Sequence, residues 1–262
     1  MNIHNPGVAT LTLPHRGQVI RGHEYRPTNS DRTAPSVLIV HGFSDSSIGP
    51  QRLFVQIARR LVEAGAVVRA YDRLGHGVSD GEFEDITLRD EVEQVSTMIR
   101  EFAADRSAPV HVLAHSLGAV EAAMAATLLS DRVASLTLWS PAGVVVDDIT
   151  VKHEIQGQPI DSVAQNGGFD FGGMWLGLAF FDDIRNGLDV YEAAAGYDGP
   201  VDIVHGTADR IVPLEYGRRY AESLPHATFT EVTGADHTWS SRAWRGELLT
   251  RLLSFLGLPD AG

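Results

Sequence analysis

The chain has no cysteine, which removes disulfides, thiolate zinc sites and cysteine nucleophiles together. Positive charge is also scarce: 21 Lys and Arg stand against 34 Asp and Glu, a formal net charge of −13. Such a surface repels phosphate backbones and anionic headgroups, so nucleic acid and membrane surfaces are poor partners. No apolar run approaches the ~20 residues that a membrane span needs. The opening Met1-Asn2-Ile3-His4-Asn5-Pro6 offers neither a basic n-region nor an apolar h-region, so the expectation is a cytoplasmic chain without a secretory signal. Internal repeats, low-complexity tracts and linkers are missing as well. What is present is ordinary globular composition, 44% hydrophobic and 21% charged over 262 residues, enough for one large domain of about 250 residues.

Short β-branched runs alternate with longer helical stretches. Val8 to Leu13 and Gln18 to Tyr25 read as a hairpin broken at Pro14-His15-Arg16-Gly17, and the apolar run Ser36 to His41 reads as a strand covered on both faces. Helical spacing follows from Arg52 to Ala64, then a strand from Ala66 to Tyr71 and an amphipathic helix from Leu88 to Phe102. Pro109 to Ala114 is the next strand, Leu117 to Leu129 an Ala-rich helix, and Val133 to Trp139 a strand. Later come the strand Val201 to His205, the helix Glu215 to Ser223, the strand Thr228 to Val232 and a last helix from Trp239 to Leu256. This rhythm predicts an α/β domain with a mostly parallel central sheet and helices on both faces. Residues 141–186 break it, being rich in Gly and aromatics without a clear period. They are expected to form a cap laid over a core made of residues 1–140 and 187–262.

The strand ending at Ala114 runs directly into His115-Ser116-Leu117-Gly118 and then a helix. A serine on so sharp a turn, flanked by small residues, projects its Oγ beyond the sheet toward the amides of the next helix. The same stretch also suits a helix-capping serine. A serine nucleophile needs a base, and the base needs an orienting acid. Asp209 follows the strand Val201 to His205, and His237 follows the strand Thr228 to Val232, so both belong at the edge where Ser116 sits. Asp236 is a rival acid, but as the chain neighbour of His237 it points away from that ring. The oxyanion donors expected are the backbone N–H groups of Leu117, just after the nucleophile, and of Phe43, in the loop His41-Gly42-Phe43. Asp72, His76 and Asp80 lie on a Gly-broken loop without the i, i+4 histidine pair of a helical metal site, so no metal is expected.

These segments, together with Tyr71-Asp72-Arg73-Leu74-Gly75-His76-Gly77-Val78-Ser79-Asp80-Gly81, resemble the α/β-hydrolase superfamily. Within it the run continuing through Glu82-Phe83-Glu84 is similar to that of bacterial cinnamoyl and feruloyl esterases. The elbow departs from the usual pattern only in carrying Ala114 where Gly is common. The resemblance implies the α/β-hydrolase fold and carboxylic ester hydrolysis through an acyl-enzyme, with no cofactor. It also implies that Asp148 serves the far end of the acyl pocket, that Gln156 supplies a further polar group, and that Trp175 replaces a family Tyr. An indole keeps the aromatic wall but moves the donor and removes the acceptor. Trp175, Phe180 and Phe181 equally suit packing beneath a lid. His115, beside the nucleophile, is a further candidate for substrate contact.

Two other readings stand beside the esterase. The same triad serves an acyltransferase or thioesterase of a biosynthetic pathway, and the fold also suits a non-catalytic ligand-binding protein. The carbon–carbon hydrolase pattern is lacking at His41-Gly42-Phe43, and a Ser elbow excludes aspartate-nucleophile chemistry. The expected partner is a small-molecule ester. Nothing compels assembly, although exposed cap aromatics would permit a homodimer.

Overall fold

Runs that bury both faces build the centre of the molecule. In the computed structural model, which describes residues 7–260, the chain opens with β1 (Gly7–His15), β2 (Gln18–Arg26) and β3 (Ser36–Val40). Next come α1 (Leu53–Glu63), β4 (Val67–Asp72), α2 (Leu88–Ala104), β5 (Val110–His115), α3 (Leu117–Leu128) and β6 (Val133–Trp139). The segment that breaks the rhythm holds α4 (Val144–Asp147), a π-helical turn over Asp148–Lys152, the hairpin β7 (Glu154–Ile155) and β8 (Gln158–Pro159), and α5 (Val163–Asn166). It continues through the hairpin β9 (Gly168–Phe171) and β10 (Met174–Gly177) into α6 (Leu178–Arg185), after which comes α7 (Val190–Ala194). β11 (Val201–Gly206), α8 (Leu214–Ser223), β12 (Ala227–Val232) and α9 (Arg242–Phe255) complete the chain.

Eight strands form one sheet in the order β1-β2-β4-β3-β5-β6-β11-β12. β1–β2 and β2–β4 pair antiparallel; all the other neighbours are parallel. Side chains alternate across the pleat. Leu38 and Val40 enter the layer that holds α2 and α3, whereas Val37 and Ile39 enter the layer that holds α1 and α9. From β3 the chain steps outward to β4 and then returns to β5 on the other side of β3. That reversal opens a crevice at the carboxyl ends of β3 and β5, where ligands of such sheets bind. No helix among the described residues is long and apolar enough to cross a membrane.

Two expected boundaries move for physical reasons. β1 continues through Pro14 and His15, and the turn shrinks to Arg16-Gly17 with φ of 47° and 84°. Paired left-handed residues suit the twist of a two-residue hairpin, and Pro14 is tolerated because β1 is an edge strand. The last helix starts at Arg242 rather than at Trp239. Trp239 has a φ of 53° and is fully buried, while the Ser241 hydroxyl accepts the Ala243 N–H as the cap. Over the carboxyl edge, α6 buries Phe180, Phe181 and Ile184 in the same layer as α2 and α3.

Candidate active site

The turn between β5 and α3 holds Ser116 in a backbone conformation that few side chains adopt, with φ 57° and ψ −124°. The surrounding bonds account for its persistence. Ser116 N–H donates to Trp139 O at 2.9 Å, and Ser116 O accepts from the Ala119 and Ala142 amides at 3.1 Å each. Two glycines allow the close approaches that complete the turn. A Cβ on Gly118 would lie 2.1 Å from His41 O, and a Cβ on Gly42 would lie 3.0 Å from Ser116 Cβ.

The loops after β11 and β12 bring two further side chains to this turn. His237 Nε2 lies 3.0 Å from Ser116 Oγ, and His237 Nδ1 lies 2.8 Å from Asp209 Oδ2. An ionised Asp209 accepts only, so Nδ1 carries the proton and Nε2 is left to take one from the serine. The other Asp209 oxygen accepts the Ile211 amide at 3.0 Å and the Val212 amide at 2.8 Å. Burial acts to raise the Asp209 carboxyl, but hydrogen bonds from His205 and His237 outweigh it and hold the group below the usual carboxylate range. Asp236 turns elsewhere: its carboxylate accepts the Ser240 amide at 3.0 Å and the Ser240 hydroxyl, closing the turn before α9.

Phe43 and Leu117 lie on either side of Ser116, one on the loop after β3 and the other at the first position of α3. Among the described residues neither amide has a hydrogen-bond partner. Both amides are therefore left with a hydrogen to donate.

A family model described as serine aminopeptidase, S33, matches residues 31–160. Est1E from Butyrivibrio proteoclasticus, solved with ferulic acid bound, superposes with a TM-score of 0.83 at 24% identity, over 94% of this chain and 97% of that one. The mouse α/β hydrolase domain-containing protein 10 gives a TM-score of 0.76 at 16% identity, over 95% and 98%. The chain has the α/β-hydrolase fold. Human monoglyceride lipase is 28% identical over 138 residues, which is 49% of this chain and 43% of that protein. The match therefore spans less than half the length of that curated relative.

A cavity opens over Ser116. Its walls are mostly apolar, with Phe43, Val144, Ile155, Phe180 and Val212 prominent, and Asp148 and Gln156 bring polar groups to it. Asp148 is buried and pairs with Lys152 Nζ at 2.7 Å. Gln156 sits exposed at the tip of the β7–β8 turn, with a φ of 49°.

Two residues expected to touch substrate lie outside the lining of this cavity. Trp175 does not line this cavity and is 40% exposed. Alternation along β10 sends its neighbour Leu176 into the core and the indole outward. Phe43 and Phe180 supply the aromatic wall instead. His115 is likewise absent from the lining and buried. Its Nε2–H donates to His237 O at 2.9 Å, so it braces the loop that carries His237.

Sequence reasoning overlooked Arg73 and Asp45. Fully buried Arg73 reaches the oxyanion loop, donating from Nη1 to His41 O at 2.7 Å and from Nη2 to Gly42 O at 3.0 Å. The only signal was a charged residue directly after a buried strand. Burial pushes the Asp45 carboxyl up to about 6, against the attraction of Arg73 and His237. This loop therefore changes charge close to pH 6.

Burial, with the His237 charge adding to it, pushes His115 down to about 3. Burial lowers His41, His76 and His111 as well. Between the ordinary value of ~6.5 and the depressed one, the unfolded chain binds a proton that the native state refuses. Stability is thus complete above pH ~6.5 and falls on acidification. His115→Gln is expected to remove about 2 kcal/mol of the stability lost between pH 8 and pH 5. Urea unfolding of both proteins at the two pH values measures the difference. Equal losses would show that His115 is not the group responsible.

Proposed function

We propose that this protein is a serine carboxylic ester hydrolase that works through an acyl-enzyme on a small aromatic or acyl ester. The observation carrying this reading is the continuous line from Ser116 Oγ through both His237 nitrogens to Asp209 Oδ2, opening into an apolar cavity. In this reading Ser116 Oγ attacks the ester carbonyl as His237 Nε2 takes its proton. The Phe43 and Leu117 amides receive the oxyanion. His237 then gives the proton to the leaving alcohol, and afterwards activates water against the acyl-serine.

The finer proposal is a cinnamoyl or feruloyl ester. Its support is the bound ferulic acid of Est1E, the aromatic wall of Phe43 and Phe180, and Asp148 as an acceptor for a ring hydroxyl. A second reading, a monoacylglycerol, rests on the human monoglyceride lipase similarity and the apolar walls. A panel of p-nitrophenyl acetate, butyrate and octanoate, methyl cinnamate, methyl ferulate and a monoacylglycerol separates them, with acid and alcohol release followed separately. Preference for the cinnamates supports the first reading and preference for the glycerol ester the second. Alcohol release without acid, with product trapped on an added thiol or amine, would replace hydrolysis by acyl transfer. Silence across the panel would count against an esterase.

Within the first reading, Asp148→Asn is expected to lower kcat/KM for methyl ferulate on the order of tenfold, through loss of a charged acceptor. Methyl cinnamate, which lacks the hydroxyl, should change little. Trp175→Ala should leave both esters within about twofold, as usual for a side chain away from the site. Equal losses on the two esters in Asp148→Asn would remove the hydroxyl contact.

A further inference from the structure

We propose that Arg73 is a positioning residue for the oxyanion hole, acting through the Gly42–Phe43 peptide. The inference rests on the esterase reading, because it assigns Phe43 N–H to the developing oxyanion.

The argument starts from peptide geometry. In a planar trans peptide the C=O and the N–H point in opposite directions, and no cis bond occurs among the described residues. The carbonyl of the peptide that carries Phe43 N–H is Gly42 O. Arg73 Nη2 donates to that oxygen at 3.0 Å, while Nη1 holds the preceding carbonyl, His41 O, at 2.7 Å. His41 adds a second bond to the same oxygen. Arg73 N–H donates to His41 Nε2 at 3.1 Å, which leaves the His41 proton on Nδ1, 2.8 Å from Gly42 O. Burial and the neighbouring Arg73 hold His41 well below its ordinary value, in the neutral form this tautomer requires.

Two consequences follow. With its oxygen clamped from one side, the peptide must turn Phe43 N–H to the other. A cationic donor on the carbonyl also draws electron density from the amide, which strengthens Phe43 N–H as a donor; hydrogen bonds in series polarise one another, more so out of water. The guanidinium is fixed in turn by fully buried carboxylates on two helices. Its Nε lies 2.8 Å from Glu91 Oε1 and 3.1 Å from Glu121 Oε2. Burial pushes Glu121 well up, with Glu91 adding to the effect, against the attraction of Arg73.

A purely structural arginine would affect folding, or the ground and transition states alike. A polarising arginine affects the tetrahedral state. Arg73→Met is therefore expected to lower kcat by on the order of 10- to 100-fold, less than the full loss of an oxyanion donor. KM should stay within about twofold. Affinity for phenylboronic acid, which forms a tetrahedral adduct on the serine, should fall by a similar factor. Arg73→Lys, which keeps a cation near Gly42 O, should recover part of both losses. Fluorophosphonate labelling counts competent Ser116, so rates refer to folded enzyme. Should Arg73→Met fail to fold, Arg73→Lys is judged alone, with parallel partial losses expected.

Unchanged kcat per labelled serine, or a kcat loss with boronate affinity intact, overturns the proposal. A wild type that turns over none of the esters fails the esterase reading instead. The boronate arm is still measured in that case and decides the Arg73 inference separately.

Discussion

Ser116→Ala is expected to lower kcat by about 10⁴-fold or more, with the fold intact. The substitution removes one atom from a nearly buried turn. The backbone bonds that hold the turn, from Ser116 N–H to Trp139 O and from Ala119 and Ala142 to Ser116 O, do not involve the side chain. Alanine meets the same left-handed backbone as serine, so the conformation costs the two residues about equally. What is lost is the hydroxyl 3.0 Å from His237 Nε2, the group with a proton to give. The measurement is turnover on the best ester of the panel, with circular dichroism and a thermal melt as controls. A variant within about tenfold of wild type, in material free of contaminating esterase, would remove Ser116 from the reaction.

Asp209→Asn is expected to cost about 10³- to 10⁴-fold in kcat. The asparagine oxygen can continue to accept the Ile211 and Val212 amides, which now bind Oδ1 at 3.0 and 2.8 Å. Its NH₂ must then face His237 Nδ1. Two donors cannot share that contact, so the imidazole moves its proton to Nε2, which can no longer take one from Ser116. The same change at Asp236 meets the hydroxyl and amide of Ser240 and the Thr238 hydroxyl and should alter kcat by no more than a few-fold. Comparable losses in Asp209→Asn and Asp236→Asn would contradict the assignment of the orienting acid.

How far each residue was legible depended on whether its role is local. The elbow could be read because strand, turn and helix are adjacent in the chain, and because Gly118 stands where a Cβ would reach His41 O. Asp209 and His237 each follow a strand of one parallel sheet, and strands that run the same way deliver their loops to one edge. The start of α9 was misjudged because Trp239 fits a helical apolar spacing. The turn closed by Asp236 and the cap at Ser241 override that spacing.

The pocket was less legible. Trp175 and Leu176 are neighbours of similar apolar character, and only the pairing of β10 with β9 sends one outward and the other inward. A shift of one residue would exchange them. His115 adjoins the nucleophile in sequence yet faces away from the cavity, because consecutive residues of a strand point to opposite sides. Arg73 was passed over as part of a structural loop, since its partners Glu91 and Glu121 come from α2 and α3.

By itself, then, the amino-acid sequence determined the mostly parallel α/β architecture, the elbow at Ser116 and the chain order of Ser116, Asp209 and His237. Periodicity, Gly positions and strand–turn–helix succession are local properties of the chain. Only the tertiary structure decided which cap side chains face the cavity, that His115 braces the loop of His237, and that a buried guanidinium grips the Gly42 carbonyl. Those outcomes depend on strand register and on contacts between elements distant in the chain, where packing and desolvation rather than neighbouring residues select the arrangement.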